Sequence, residues 1–203
     1  MAYDGIAVSN IVYELKEKLI GGRIDKIYQP RNDEIIFSVR SVKDGNFKVL
    51  VSANSMNPRI HITEIKKENP VTAPMFCMVL RKHIAGGRIL DIRQPGFERI
   101  TEIDIESMNE MGDLGVKRII AEFMGKYSNI ILVDENGRIL DSIKHVTTTE
   151  VPSGRCFRED YMNTRLHKTN SIRWSLILKD LKKSPRKSRG LISRGLYIKA
   201  IRE

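Results

Sequence analysis

Cysteine is almost missing from this chain. Cys77 and Cys156 are the two among 203 residues and stand on unrelated segments, which excludes a disulfide framework and the paired spacing of a zinc site. Long apolar runs are missing as well. None approaches the length that spans a bilayer, and Asp4, Glu14, Lys16, Glu17 and Lys18 break up the first twenty residues, where a signal peptide needs an uninterrupted apolar stretch. The expectation is a cytoplasmic protein without a membrane segment. Catalytic groupings are missing too. His61, His83, His145 and His167 fall on different segments without metal spacing and read as surface or packing histidines. No Ser-His-Asp or Cys-His arrangement can be traced, and no carboxylates pair for acid/base work. The two Gly-Gly-Arg-Ile steps lack the lysine and hydroxyl of a phosphate-binding loop. No cofactor, no metal and no catalysis are therefore expected.

An excess of either charge is missing from most of the chain, although the total is +10. Residues 1–151 hold 21 Lys and Arg against 21 Asp and Glu, while 14 basic and 4 acidic residues lie in 152–203. The body is neutral and the tail carries the whole excess. Clustered Lys and Arg favour phosphate, which raises nucleic acid as a partner; a solvated tail is the plainer alternative. Hydrophobic content of 41% and charged content of 30% suit a globular chain with one sizeable core, with or without an appendage.

What is present is a repeat. Glu17 to Glu34 reads EKLIGGRIDKIYQPRNDE, and Arg81 to Arg99 reads RKHIAGGRILDIRQPGFER. Adding 65 superimposes Gly21, Gly22, Arg23, Ile24, Ile27, Gln29 and Pro30 on Gly86, Gly87, Arg88, Ile89, Ile92, Gln94 and Pro95. Each copy runs from an apolar helix through a Gly-Gly stop, a short alternating strand and a Gln-Pro turn into a second strand.

Val8, Ile11, Val12, Leu15 and Leu19 predict a helix over 7–20. Strands are predicted over 23–29, 34–42, 48–52 and 58–63, with Asp44-Gly45 as a hairpin turn. Thr72 is expected to cap a second helix with Pro74 in its first turn and Met75, Phe76, Met78, Val79, Leu80 and Ile84 mostly inside. Further strands are predicted over 88–93, 99–106, 116–123, 128–133 and 138–143, with a loop at 109–115, a turn at 124–127 and a hairpin at Asn136-Gly137. The body, residues 1–151, is thus an α+β domain of about two helices and eight or nine strands in two similar halves. Pro152 to Gly154 reads as its boundary, and 152–203 as a basic tail with short helices over 172–181 and 190–201.

Only the second copy ends in an acid followed by arginine, Glu98-Arg99, at the start of the 99–106 strand and after Pro95 and Gly96. A guanidinium can fork onto phosphate or stack on a base, and a carboxylate can accept from a base amino group or a ribose hydroxyl. An ordinary surface ion pair is the plainer reading of the same two residues. Asp4 reads as a helix cap or dipole partner, and Arg81, Lys82 and His83 complement the far end of the second helix.

Three blocks carry a resemblance: YDGIAVSNIVYELKEKLIGGRIDKIYQP, NPVTAPMFCMVLRKHIAGGRILDIRQPGFERI and EFMGKYSNIILVDENGRILDSIKHV. Together they resemble the NFACT-N domain of the fibronectin-binding protein A-like, RqcH (NEMF-type) ribosome quality control family, over most of residues 1–151. The resemblance implies an RNA-binding module that engages the large ribosomal subunit carrying peptidyl-tRNA and recruits alanyl-tRNA for C-terminal alanine tailing. Peptide transfer would then be ribosomal. The family's tRNA-contacting aspartate falls on Asp4 and its Asp-Arg pair on Glu98-Arg99, where glutamate replaces aspartate and extends the carboxylate's reach by one methylene. Arg81, Lys82 and Lys126 are further candidate RNA contacts. The implied fold resembles the N-terminal domain of formamidopyrimidine-DNA glycosylases, a β-sandwich flanked by helices; this chain begins Met-Ala-Tyr and lacks their N-terminal proline and adjacent glutamate. In the family a helix-hairpin-helix region, a long coiled coil and an NFACT-R domain follow, and TRLHKTN and GLISRGLYIKAIRE resemble the start of that region faintly. The family's older name implies a rival function, a fibronectin-binding surface adhesin.

Overall fold

The computed structural model describes residues 3–41, 45–108 and 112–145. Helix α1 spans Gly5–Leu19, and its stripe of Val8, Val12, Leu15 and Leu19 is buried, as spacing at three and four residues dictates. Asp4 caps it, accepting from the Ala7 N–H at 2.8 Å. Helix α2 spans Met75–Ile84 and buries Phe76, Cys77, Leu80 and Ile84. Its cap position is Pro74, with no side-chain cap bond. Thr72 therefore does not cap it: the cap position falls two residues later, on Pro74, whose ring offers no acceptor.

The described residues hold nine strands: β1 Arg23–Arg31, β2 Glu34–Arg40, β3 Asn46–Ser52, β4 Arg59–Ile62, β5 Arg88–Arg93, β6 Ile100–Met108, β7 Leu114–Glu122, β8 Asn129–Val133 and β9 Ile139–Ser142. They form one sheet in the order β4-β3-β2-β1-β5-β6-β7-β8-β9, every neighbour antiparallel. The 152–154 boundary and the two helices predicted beyond it lie outside the described residues, as does Asp44 of the first hairpin.

The repeat is a pseudo-dyad. β1 and β5 meet where Arg23 faces Arg88. The Gly21 N–H donates to the Ile89 carbonyl at 2.8 Å, and Gly86 to Ile24 at 2.7 Å; Ile24 donates to Gly87 at 2.9 Å, and Ile89 to Gly22 at 2.9 Å. Each of these bonds maps onto its mate by adding or subtracting 65. Gly21 and Gly86 take φ of 80° and 75°, the left-handed conformation that ends both helices. Gly22 and Gly87 are needed for closeness instead: a Cβ on Gly22 would lie 2.9 Å from Val39 Cγ1, and one on Gly87 2.6 Å from Ile105 Cγ2. Each helix straddles the seam, α1 packing on β5 and β6 as well as on β4 of its own half, and α2 on β1 as well as on β6 and β9 of its own half.

The core includes Ile24, Ile27, Ile35, Phe37, Val39, Ile89, Ile92, Ile103 and Ile105 beneath the two helix stripes. Each fully buried aliphatic side chain contributes roughly 2 kcal/mol, so this face dominates the stability. Residues far apart in the sheet order are also joined. The Tyr3 hydroxyl donates to the Ile60 carbonyl at 3.1 Å while its ring stands edge-on to Phe123, centroids 5.0 Å apart. Lys144 Nζ donates to the Ala53 carbonyl at 2.6 Å. On the outer face Arg93 bonds Glu102 at 2.8 Å and also bonds Asp104, which takes a 2.6 Å bond from Arg118. Burial pushes the Asp104 carboxyl up, but the hydrogen bonds and charges of Arg118 and Arg93 outweigh it and hold the group below its ordinary value.

Candidate nucleic-acid interface

The two Gln-Pro turns sit at equivalent places and have different shapes. Strand pairing sets the correspondence: Arg23 faces Arg40 in the first half, and Arg88 faces Glu106 in the second. The offset is therefore 65 before the turn and 66 after it. One residue is added in the second turn, and Arg99 corresponds to Asp33, not to Glu34 as the ungapped offset implies. Backbone bonds agree, since the Asp33 carbonyl accepts from Ala53 at 2.8 Å and the Arg99 carbonyl from Phe123 at 2.9 Å.

In the first turn Gln29 is 5% exposed and donates to the Asn32 carbonyl of its own turn at 3.3 Å. In the second, Gln94 Nε2 bridges two elements, donating to the Gly5 carbonyl and to the Glu98 carbonyl, both at 2.8 Å. The turn is drawn onto the N-terminus of α1. Gly5 permits the approach, because a Cβ there would collide with the Phe97 carbonyl. Gly96, with φ of 60°, makes the bend, and the Glu98 N–H closes it on the Pro95 carbonyl at 3.3 Å.

Asp4, Glu98 and Arg99 are thereby brought to one corner through Gln94 and Gly5. Glu98 and Arg99 precede β6, which begins at Ile100; the strand expected from Arg99 starts one residue later because the turn occupies 94–99. Both side chains are exposed, so strand alternation does not separate them. The Arg99 side chain has no hydrogen bond or ion pair among the described residues, and its carbonyl takes the Phe123 bond. Its counterpart Asp33 is engaged, accepting from Asn54 Nδ2 at 2.8 Å.

Lys126 lies in the short 3-10 turn Gly125–Tyr127, which follows Phe123, the partner of the Arg99 carbonyl; its ammonium stands 4.8 Å from the Tyr127 ring centroid. Beside Asp33, Lys144 has its pKa lowered by burial, a pull that the Asp33 charge opposes. Arg81 and Lys82 belong to the last turn of α2, at the seam between the halves. The Arg81 guanidinium gives Nε and Nη2 to the Ile27 carbonyl at 2.9 and 2.8 Å, which ties α2 to β1. Among the described residues no group of three or more His, Cys, Asp or Glu is placed to hold a metal, and no helix is long and apolar enough to cross a membrane.

Three residues of this corner escaped the sequence reading: Gly5, Gln94 and Phe97. A glycine in the first turn of a helix was the available signal for the first. Gln94 was noticed as part of the repeat, but its change of partner could not be seen without the fold.

Residues 4–155 match the family described as NFACT N-terminal and middle domains. Among curated proteins the chain is 47% identical over 148 residues to the Rqc2 homolog RqcH of Bacillus subtilis, covering 72% of this chain and 26% of that protein. It is 42% identical over 147 residues to the Rqc2 homolog RqcH of Streptococcus pneumoniae, with the same coverage. The chain thus spans about a quarter of the length of these relatives. Among solved structures, the N-terminal domain of the fibronectin-binding protein PavA from Streptococcus pneumoniae superposes with a TM-score of 0.73 at 38% identity, covering 78% of this chain and 60% of that one.

Proposed function

Because the chain belongs to the NFACT N-terminal family, we propose that it is the RNA-binding module of a ribosome quality control factor. The observation that carries this reading is the 47% identity to a protein named as an Rqc2 homolog. In this role the module engages the large ribosomal subunit bearing peptidyl-tRNA, and recruits tRNA, alanyl-tRNA by family expectation, for C-terminal tailing in the cytoplasm. The chain itself holds RNA and leaves bond formation to the ribosome, so it acts as a binding module rather than an enzyme. The exposed Arg99 guanidinium suits a phosphate or a base, and the carboxylates of Asp4 and Glu98 suit base amino groups or ribose hydroxyls. Fibronectin binding is a second reading, favoured by the name of the PavA structure.

Binding of tRNA to the whole chain, measured across a salt series, tests the proposal. Binding is expected to fall steeply with salt, and Arg99→Ala to weaken it by roughly 5- to 150-fold while lowering the salt slope by about one. If Arg99→Ala leaves both quantities where they were, the site assignment is wrong. If the chain binds fibronectin but no tRNA, the adhesin reading replaces this one.

A further inference from the structure

Phe97 is 80% exposed, in a turn whose backbone is held on every side. Its carbonyl abuts Gly5, the preceding Gly96 is fixed in the left-handed region, and the following Glu98 carbonyl takes the Gln94 bond. The ring gains no burial from this arrangement, although the turn that carries it is tied to α1. The equivalent turn of the first half reads Arg31, Asn32 and Asp33 and presents no aromatic side chain.

The charges around the ring narrow what it can meet. Glu98 and Arg99 follow Phe97 directly and Asp4 precedes Gly5, which the Phe97 carbonyl abuts, so the corner carries two carboxylates against one guanidinium and is not a uniformly positive track for a duplex backbone. Carboxylates repel phosphate but accept from base amino groups and ribose hydroxyls, which an unpaired nucleotide offers. A flat apolar ring adds a surface on which any base can stack, provided that the base is out of a helix. From this we infer that Phe97 is a stacking platform for an unpaired RNA base, and that Gln94 and Gly5 position it by clamping the turn to α1. This rests on the RNA-binding reading above and specifies the form of RNA that the corner accepts, a single-stranded segment.

The test uses the full chain with Trp174→Phe, which removes the only tryptophan. Its probes are a short single-stranded oligoadenylate and a blunt RNA duplex. Phe97→Leu keeps an apolar side chain without a π-face, and is expected to lose about tenfold in affinity for the single strand with no change for the duplex. Phe97→Trp is expected to retain single-strand binding, with its indole emission quenched at saturation. Equal single-strand affinity of parent and Phe97→Leu, or unquenched emission from bound Phe97→Trp, overturns the inference. If Arg99→Ala weakens binding and Phe97→Leu does not, the stacking role alone fails. If the parent binds neither probe nor tRNA, the RNA-binding reading fails with it.

Discussion

The two Gln-Pro turns share one motif and are anchored differently. The first is a tight connection whose glutamine bonds its own turn and whose Asp33 is tied to Asn54. The second is one residue longer, is clamped to a helix by Gln94, and exposes Phe97, Glu98 and Arg99. A shared architectural position can thus be held in two ways that differ by one residue, provided that a neighbouring element takes over the anchoring. Here the start of α1 takes it over: α1 begins at Gly5, which is equivalent to residue 70, whereas α2 begins only at Met75. The extra turn of helix meets the enlarged loop.

Changes at the seam should treat the halves alike and give the largest effects. Gly22→Ala and Gly87→Ala each drive a methyl into packed neighbours, so each is expected to lower the unfolding free energy by about 1–3 kcal/mol in urea titration. A large cost at one position with none at the other would break the symmetry of the seam. Changes at the turns should separate the halves. Gln94→Ala is expected to weaken RNA binding several-fold with a stability loss of about 1 kcal/mol, whereas Gln29→Ala should cost stability and leave RNA affinity unchanged. Equal effects on RNA binding would mean that the clamp has no role of its own.

The smallest effect concerns the fourth strand of each half, β4 and β8. Register makes His61 of β4 the counterpart of Ile131 of β8: His61 faces Leu50 and Ile131 faces Ile120, and Leu50 and Ile120 hold equivalent places opposite Ile36 and Glu102. Burial, followed by the charges of Arg59 and Lys67, lowers the His61 pKa. The folded state then prefers neutral His61, so its contribution is present above the unfolded value of about 6.5 and is lost as pH falls below that. Replacing it with the other half's residue, His61→Ile, should flatten the decline in melting temperature between about pH 7 and pH 5. An unchanged profile would remove His61 as its source.

Much of this fold was legible in the residues because the relevant signals are local. Val8, Val12, Leu15 and Leu19 declare a buried helix stripe, Gly21 and Gly86 declare helix ends, and Gly137 declares a hairpin. Strand positions followed from alternation with errors of one or two residues, as with Ile100. What could not be read was long-range. The crossing of each helix onto the opposite half depends on contacts 50 and more residues apart, such as Arg81 to Ile27. Asp4, Glu98 and Arg99 were singled out from resemblance and local chemistry, yet nothing local says that Gln94 would gather them. The one-residue slip that pairs Arg99 with Asp33 is likewise invisible until strand register is known, because an ungapped offset looks equally regular.

The seam has a further meaning. Four backbone bonds around a pseudo-dyad, with each helix reaching across to the other half's central strand, are what a two-fold dimer presents when its subunits share one polypeptide. In a dimer of identical subunits every alteration appears twice, once on each side of the axis, and an exposed aromatic-arginine loop would appear twice as well. Joining the subunits removes that obligation, so one copy keeps the scaffold while the other can change. The asymmetry at residues 94–99 is open to this chain because its symmetry is written in sequence and not imposed by assembly.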